Sequence, residues 1–180
     1  MDNSVVIAGF GGQGVILAGK ILAQAGMNHG LEVTWLPSYG PEMRGGTANC
    51  TVVLSNDPVG SPIVDSPTGL IALNLPSLDK FEPTVAANGV IIMNSSLIQR
   101  RTKRKDVRSF SPALNDLAKK AGSEKATNMI ALGAYIRVTG IIPLSTVQTA
   151  MTQMLKKEGK DKFIPLNRKA LQEGYNALHE

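Results

Sequence analysis

The sequence Ser-Val-Val-Ile-Ala-Gly-Phe-Gly-Gly-Gln-Gly occupies positions 4–14 and joins an apolar run to four closely spaced glycines. The β-branched residues of 4–9 predict a buried first strand. Residues 15–28 carry apolar side chains at helical spacing and predict the helix that follows, with His29 and Gly30 as its stop signal. A second strand is predicted over residues 31–36, so the chain opens with a βαβ unit whose two strands run parallel.

Three further strands are predicted downstream of this unit. Residues 47–55 form a strand-like run, and no helix separates it from the second strand. An antiparallel neighbour is therefore allowed, and the sheet is expected to be mixed. Shorter buried strands are predicted over residues 69–73 and 89–93.

The second half of the chain is predominantly helical in pattern. After a short helix near residues 76–81, the pattern predicts helices over 112–121, 128–138, 145–157 and 161–178, with Ser111 as the N-cap of the first of these four and Pro112 in its first turn. No linker or internal repeat divides the chain. The fold expected is one domain, residues 1–180: a Rossmann-like three-layer α/β/α architecture with a mostly parallel, mixed sheet and C-terminal helices.

Composition narrows the class of protein. The chain has 180 residues, of which 43% are hydrophobic and 18% are charged, as in an ordinary globular domain. No apolar run approaches the roughly 20 residues that cross a bilayer, and the N-terminus lacks the features of a signal peptide. One cysteine rules out an internal disulfide, or an iron–sulfur cluster held by this chain alone. A soluble cytoplasmic protein without a metal site of its own is expected.

The formal net charge of +5 comes from one place, the basic segment (residues 99–108). This segment holds six Lys and Arg residues and one aspartate, so the rest of the chain is neutral. Proteins that bind nucleic acids usually add stacking aromatic residues to their basic surfaces, and the basic segment has none. We expect an exposed connection that binds no nucleic acid and that either is solvated or contacts an acidic partner.

The glycine cluster is the main chemical signal of the sequence. Its spacing, Gly-x-Gly-x-x-Gly directly after a strand and before a helix, matches the dinucleotide-binding fingerprint. Glycines let backbone N–H groups approach a phosphate, and the helix N-terminus favours negative charge. The candidate phosphate-binding residues are Gly9, Gly11, Gly12, Gln13 and Gly14. The alternative is that these glycines only permit close packing of the strand against the helix.

Binding of NAD(P) is disfavoured by the end of the second strand. Nicotinamide enzymes of this architecture place an acidic residue there, on the ribose hydroxyls. Here the strand ends in Leu36-Pro37-Ser38-Tyr39, and Glu32 lies at its beginning. The cluster also lacks the Gly-Lys-Ser/Thr ending of a P-loop.

A second loop, residues 38–46, is expected at the same edge of the sheet as the glycine cluster, where ligands gather in open α/β sheets. Its candidate contacts to a ligand or partner are Tyr39, Glu42, Arg44 and Gly45. The alternative is that the two charged side chains pair with each other and only stabilise a tight turn. No catalytic triad or pair of spaced carboxylates stands out, so no catalytic residue is assigned.

Three motifs together resemble one family. They are Gly9-Phe10-Gly11-Gly12-Gln13-Gly14-Val15, then Pro37-Ser38-Tyr39-Gly40-Pro41-Glu42-Met43-Arg44-Gly45-Gly46, and Asn128-Met129 before Leu132-Gly133. The chain resembles the gamma subunit, or gamma domain, of the 2-oxoacid:ferredoxin oxidoreductases, and the likeness extends to about residue 157. The basic segment matches no motif of that family.

The resemblance implies a function in a larger assembly. Such enzymes oxidatively decarboxylate a 2-oxoacid, pass the electrons to ferredoxin and deliver the acyl group to coenzyme A. The resemblance implies that thiamine diphosphate, Mg²⁺ and iron–sulfur clusters belong to the alpha and beta subunits or to a delta subunit. It assigns to this chain an assembly role and a part in binding coenzyme A, and it implies that the isolated chain is inactive.

Two other classes remain open at this point. One is an independent NAD(P)-binding oxidoreductase, and the other is a non-enzymatic nucleotide-binding or basic interaction module. The likeness as a whole favours 2-oxoglutarate or a branched-chain 2-oxoacid over pyruvate as the substrate of the complex.

Overall fold

The computed structural model describes residues 3–38 and 47–178. Its strands are β1 (Asn3–Phe10), β2 (Glu32–Ser38), β3 (Thr47–Ser55), β4 (Gly69–Ala72), β5 (Val90–Met93) and β6 (Arg108–Phe110). Its helices are α1 (Val15–Asn28), α2 (Leu75–Phe81), α3 (Leu114–Ala121), α4 (Thr127–Thr139), α5 (Leu144–Lys157) and α6 (Ile164–Asn176).

The sheet is mixed, with the strand order β2-β3-β1-β4-β5-β6. Strands β1, β4, β5 and β6 are parallel neighbours, whereas β3 runs antiparallel to both β1 and β2. This confirms the expected mixed sheet. Strand β2 extends to Ser38, beyond the predicted end, because an edge strand tolerates Pro37.

Helices cover both faces of the sheet and give the expected three layers. On one face, alternate strand residues such as Ile7, Val52 and Ile71 join a core with α1 and with α3 to α6. On the other face, Val6 and Leu70 pack in a smaller core beneath α2. The strands alternate in this way because successive side chains of a strand point to opposite sides.

Two glycines bring α4 and α6 into backbone contact. A Cβ on Gly133 would overlap the carbonyl oxygen of Leu171, and one on Gly174 would overlap that of Ile130. The first ten residues of α4 are buried as a result of this packing and of the sheet beneath. Within the described ranges, no helix is long and apolar enough to cross a membrane.

Some predicted element boundaries were wrong. Helix α3 begins at Leu114 with Ala113 as its N-cap, so Ser111 and Pro112 lie outside it. The Pro112 carbonyl instead accepts a hydrogen bond from the Ser95 N–H at 3.1 Å, which holds this residue beside the loop after β5. The short strand β6 was not predicted. The predicted last helix is divided into a 3₁₀ turn, Asp161–Phe163, and α6.

Candidate functional site

The glycine loop (residues 9–14) forms a tight turn between β1 and α1, at the carboxyl edge of the parallel strands. The Gln13 N–H donates a 3.1 Å hydrogen bond to the Phe10 carbonyl and closes the turn. Gly12 has φ of +91°, as the third residue of a type II turn requires, and Gly14 has φ of +73° at the start of α1. The sequence therefore places glycines where the backbone needs them.

The glycines of the loop divide into two kinds. A Cβ on Gly9 would lie 2.6 Å from Gln13 Oε1 and 3.1 Å from Leu73 Cβ, and one on Gly14 would overlap the Asn128 side chain. These two glycines permit close packing, as the alternative interpretation holds. Among the described residues, none has an atom within 4 Å of the Gly12 Cβ position, and Gly11 is exposed, so these two glycines face open space in the described part of the chain.

The orientation of the Gln13 side-chain amide is determined by its neighbours. Asn74, which follows β4, accepts the Ser77 N–H through Oδ1 at 2.9 Å, so its Nδ2 is the donor to Gln13 Oε1 at 3.3 Å. The Phe10 N–H donates to the same Oε1 at 2.6 Å. The Gln13 Nε2 donors are thereby directed away from these contacts, and within the described residues they have no acceptor.

Asn128, at the start of α4, contacts the loop from the opposite end of the sequence. Its side-chain Nδ2 donates a 3.0 Å hydrogen bond to the Gly14 carbonyl. The prediction from the sequence did not assign this residue to the site. Its position in the third motif of the family resemblance was the one available signal.

A cleft of about 390 Å³ opens beside the glycine loop. Its walls come from the loop and the first turns of α1, from Ala48 on β3, and from Glu158 and Lys160 after α5. Lys160 donates a 2.6 Å hydrogen bond to Glu158 and thereby lowers the pKa of that carboxyl, and Lys20 adds a weaker effect of the same sign. The two lysines and the helix N-terminus favour an anionic ligand. No sequence pattern connects Lys20 with Lys160.

Residues 39–46 of the second candidate loop lie outside the described residues, and with them Tyr39, Glu42, Arg44 and Gly45, whereas Ser38 is the last residue of β2. The described residues that flank it are at the edge of the sheet that carries the glycine loop. Thr47 pairs with Phe10 in the β1–β3 ladder, and Ser38 pairs with Asn49 in the β2–β3 ladder. A role of this loop in contacting a ligand or partner stays a prediction.

The sheet order bears on the nicotinamide alternative. In a dinucleotide-binding unit, the strand with the ribose-binding acid ends beside the glycine loop. Here β3 lies between β1 and β2, so the end of β2 is two strands away from the loop. The geometry and the missing acid both disfavour an NAD(P) site.

Most of the basic segment is exposed, as predicted, but two of its arginines are partly buried. Its last residue, Arg108, pairs with Val90 at the start of β5, so the segment ends at the amino edge of the strands, opposite the glycine loop. Arg100 and Arg104 are not solvated: their side chains are 24% and 23% exposed, and both make ion pairs. The charge count of residues 99–108 includes only one of the three carboxylate partners, Asp106, because the other two belong to Asp79 and Glu82.

Comparison with known proteins gives a consistent result. Residues 4–177 match the family model described as pyruvate ferredoxin/flavodoxin oxidoreductase. The ketoisovalerate oxidoreductase subunit VorA of Methanothermobacter marburgensis is 40% identical over 170 residues, which are 94% of this chain and 35% of VorA. The 2-oxoglutarate synthase subunit KorC of the same organism is 32% identical over 91% of this chain and 92% of KorC. The chain thus spans about a third of VorA and nearly all of KorC.

Solved structures show the same fold. The gamma subunit of a keto/oxoacid ferredoxin oxidoreductase from Geobacter sulfurreducens PCA is 29% identical, with a TM-score of 0.83 over 97% of each chain. A 2-oxoglutarate:ferredoxin oxidoreductase from Magnetococcus marinus, solved with 2-oxoglutarate, coenzyme A and succinyl-CoA bound, has a TM-score of 0.87. Its identity is 23%, and the match covers 99% of this chain and 32% of that one. These findings confirm the predicted α/β fold and the resemblance to gamma subunits.

Proposed function

The chain belongs to the pyruvate ferredoxin/flavodoxin oxidoreductase family, and we propose that it is the gamma component of a 2-oxoacid:ferredoxin oxidoreductase whose glycine loop binds the phosphates of coenzyme A. Its partners in this proposal are alpha and beta subunits, with or without a delta subunit, and ferredoxin accepts the electrons. The proposal includes a cytoplasmic location.

The observation that carries the proposal is the open, positively charged cleft at the glycine loop. Gly12 lines it without a side chain and the neighbouring Gly11 is exposed, so a ligand can approach the backbone closely. The N-terminus of α1 and the ammonium group of Lys20 supply a favourable field for a pyrophosphate, whereas the charge of Lys160 is offset by its ion pair with Glu158. Coenzyme A carries such a group, together with a phosphorylated ribose that needs no acidic partner.

Gln13, between two residues that line the cleft, adds a directional contact for a ligand at the glycine loop. Because its Oε1 accepts from Phe10 and Asn74, Gln13 offers a ligand only its Nε2 donors. A phosphate oxygen is the complementary acceptor. The residues proposed to hold coenzyme A are therefore Gly11, Gly12, Gln13 and the first turn of α1, whereas Gly9 and Gly14 shape the loop.

In this proposal the chain orients coenzyme A and does not perform the redox chemistry. Thiamine diphosphate, Mg²⁺ and iron–sulfur clusters on the other subunits supply decarboxylation and electron transfer. The ionisable residues of the cleft are Lys20, Glu158 and Lys160, which suit binding of an anion and not the activation of a carbonyl. The isolated chain is accordingly proposed to have no oxidoreductase activity.

The substrate of the complex is proposed to be 2-oxoglutarate or a branched-chain 2-oxoacid. The relatives VorA and KorC are named for ketoisovalerate and 2-oxoglutarate, respectively. The assembled complex should therefore have a higher kcat/KM for one of these two than for pyruvate. A preference for pyruvate would contradict this part of the proposal alone.

The test of coenzyme A binding compares two glycines with the same backbone geometry. Gly12 and Gly30 both have positive φ and open space at the Cβ position, and Gly30 follows the opposite end of α1. Gly12→Val and Gly30→Val should therefore lose similar stability, of about 1–2 kcal/mol. In the assembled complex, Gly12→Val should raise the KM for coenzyme A about tenfold or more and leave 2-oxoacid decarboxylation intact. Gly30→Val should change neither the KM for coenzyme A nor the rate of 2-oxoacid decarboxylation.

The kinetics of coenzyme A decide between binding and packing. An unchanged KM in a folded, assembled Gly12→Val complex would show that these glycines only shape the loop. Equal increases in the KM of both variants would point to general destabilisation.

A further inference from the structure

Residues 100–105 alternate between partly buried and exposed side chains. Arg100, Thr102 and Arg104 are partly buried and contact the end of α2 and the 3₁₀ turn that follows it, Glu82–Thr84. The intervening side chains of Arg101, Lys103 and Lys105 are exposed. The basic segment thus has an inner row that binds the protein and an outer row that faces solvent.

The inner row is fastened to one buried carboxylate, that of Glu82, whose side chain is 4% exposed. It accepts a 2.8 Å bond from Arg100 Nη2, a 2.7 Å bond from the Lys103 N–H, and a short bond from the Thr102 hydroxyl. Burial alone would raise the pKa of Glu82, but these three donors together lower it. The carboxylate is therefore ionised at neutral pH and holds the segment in place.

Arg104 completes this attachment. Its Nη1 donates to the carbonyls of Glu82, at 3.2 Å, and Val85, at 2.9 Å. Its Nε and Nη2 bind the two carboxylate oxygens of Asp106 at 2.7 and 2.6 Å. Such bidentate pairs have a fixed geometry, so the backbone on either side of the outer row is held in position.

The nearby carboxylates are all used by the inner row. Arg100 forms ion pairs with Asp79 and Glu82, and Arg104 forms an ion pair with Asp106. Within the described ranges, Arg101, Lys103 and Lys105 have no carboxylate partner. Alternate residues are at most about 7 Å apart along a chain. The fold therefore holds three unneutralised cations on one short stretch of backbone, although their mutual repulsion is unfavourable.

We propose that the outer row, Arg101, Lys103 and Lys105, is a docking surface for a carboxylate-rich segment of a partner protein. Three exposed cations on a stretch of backbone that the inner row holds in place complement such a segment, and steering by charge would speed its association. A nucleic acid fits less well because none of the three has an aromatic neighbour in the segment for base stacking. Since the row leads to the amino edge of the sheet, it is separate from the cleft at the glycine loop.

Fluorescence anisotropy on the full chain can test this surface with a defined probe. The probe is a labelled synthetic peptide of alternating glutamate and serine, and a glutamine–serine peptide and a single-stranded oligothymidylate serve as comparisons. The outer-row variant is Arg101→Gln/Lys103→Gln/Lys105→Gln. The control variant, Lys120→Gln/Lys156→Gln/Lys169→Gln, removes the same charge from exposed positions on α3, α5 and α6.

The glutamate peptide should bind the wild-type chain at low salt, and the glutamine peptide should not. The outer-row variant should bind the glutamate peptide about tenfold more weakly at an unchanged Tm, and the control variant should bind it as the wild type does. If both variants bound the glutamate peptide equally weakly, net charge alone would explain the binding, and the proposal would be overturned. Failure of the wild type to bind the glutamate peptide, or tighter binding of oligothymidylate that the outer-row variant loses, would also overturn it. Binding of coenzyme A is not involved in any of these outcomes.

Discussion

The side-chain amide of Asn128 donates a 3.0 Å hydrogen bond to the carbonyl of Gly14, which precedes it by 114 residues. The same carbonyl accepts the Ala18 N–H at 3.0 Å, so it links the first turn of α1 to the start of α4. A Cβ on Gly14 would overlap this side chain. The shape of the glycine loop therefore depends on a helix from the second half of the chain.

Asn128→Ala should destabilise the chain by about 1 kcal/mol, because it removes one of two hydrogen bonds to the Gly14 carbonyl. Asn128→Asp should cost more, since it places a second acceptor against that carbonyl. Asn167→Ala, which removes a carboxamide bond to a carbonyl on the surface of α6, should change the free energy of unfolding by less than about 0.5 kcal/mol. Urea unfolding of the three variants measures these differences. An Asn128→Asp variant as stable as the wild type would contradict the assigned contact.

Glu82→Gln should destabilise the chain at neutral pH and weaken its sensitivity to acid. The folded-state pKa of Glu82 is lowered, so this group stabilises the fold above its ordinary pKa of about 4.5, and that contribution is lost as the pH falls. Loss of a buried ion pair costs about 3 kcal/mol, at the low end of the usual range because Arg100 is partly exposed.

The measurement for Glu82 is the free energy of unfolding between neutral pH and the acid range. Glu124→Gln, which breaks an exposed ion pair with Lys119, is the matched control and should cost less than about 1 kcal/mol. If Glu82→Gln and the wild type lose stability in parallel as the pH falls, Glu82 is not the group responsible.

Gly174→Ala should lower stability by about 1–3 kcal/mol, because the added methyl group would force α6 away from the Ile130 carbonyl. For a chain of this size, each kcal/mol corresponds to a decrease in Tm of about 2–4 °C. Gly60→Ala is the control, since its Cβ position is open and its φ is not positive. When Gly174→Ala is combined with Gly133→Ala, the stability lost should be smaller than the sum of the losses in the two single variants, because one displacement of α6 relieves both contacts. An unchanged Tm in Gly174→Ala would contradict the close approach of these helices.

Cys50 should be unreactive toward thiol reagents in the native chain. Burial raises the pKa of this thiol to about 12, and its Sγ donates a 3.6 Å hydrogen bond to the Val15 carbonyl. Since the thiolate is the reactive form, labelling at pH 8 should proceed only through opening of the structure. Gly19→Ala, whose new methyl group would overlap the Cys50 sulfur, should accelerate labelling. Rapid stoichiometric labelling of the native wild type would contradict the buried position.

Much of the fold was predictable where local pattern and tertiary structure agree. The bounds of α1 and β3 match the prediction to the residue, because glycines or a change of hydrophobic period mark both ends. The start of α3 was wrong, because a hydrogen bond from Ser95 to the Pro112 carbonyl has no local signature. The insertion of β3 between β1 and β2 follows from strand pairing, which a single sequence does not specify.

The candidate site was predictable in part for the same reason. The turn at Gly12 and Gln13 follows from local glycine spacing, and Lys20 lies on the helix directly after it, whereas Lys160 and Asn128 reach the cleft or the loop through tertiary packing. In the basic segment, the local pattern partly misled the prediction. Its repulsive charges are adjacent in sequence and indicate an exposed loop, whereas the carboxylate of Glu82, which binds the segment, lies 18 residues before Arg100.

The contact between α4 and α6 has a consequence for how the molecule opens. Helix α6 cannot leave without exposing the glycine-lined backbone of α4, and α4 carries the Asn128 amide that holds the turn after β1. We therefore expect α6 and the glycine loop to open together as one cooperative unit, although most of the chain separates them. Amide hydrogens of the ten buried residues of α4 should exchange only with global unfolding, so α6 and the glycine loop report the same event.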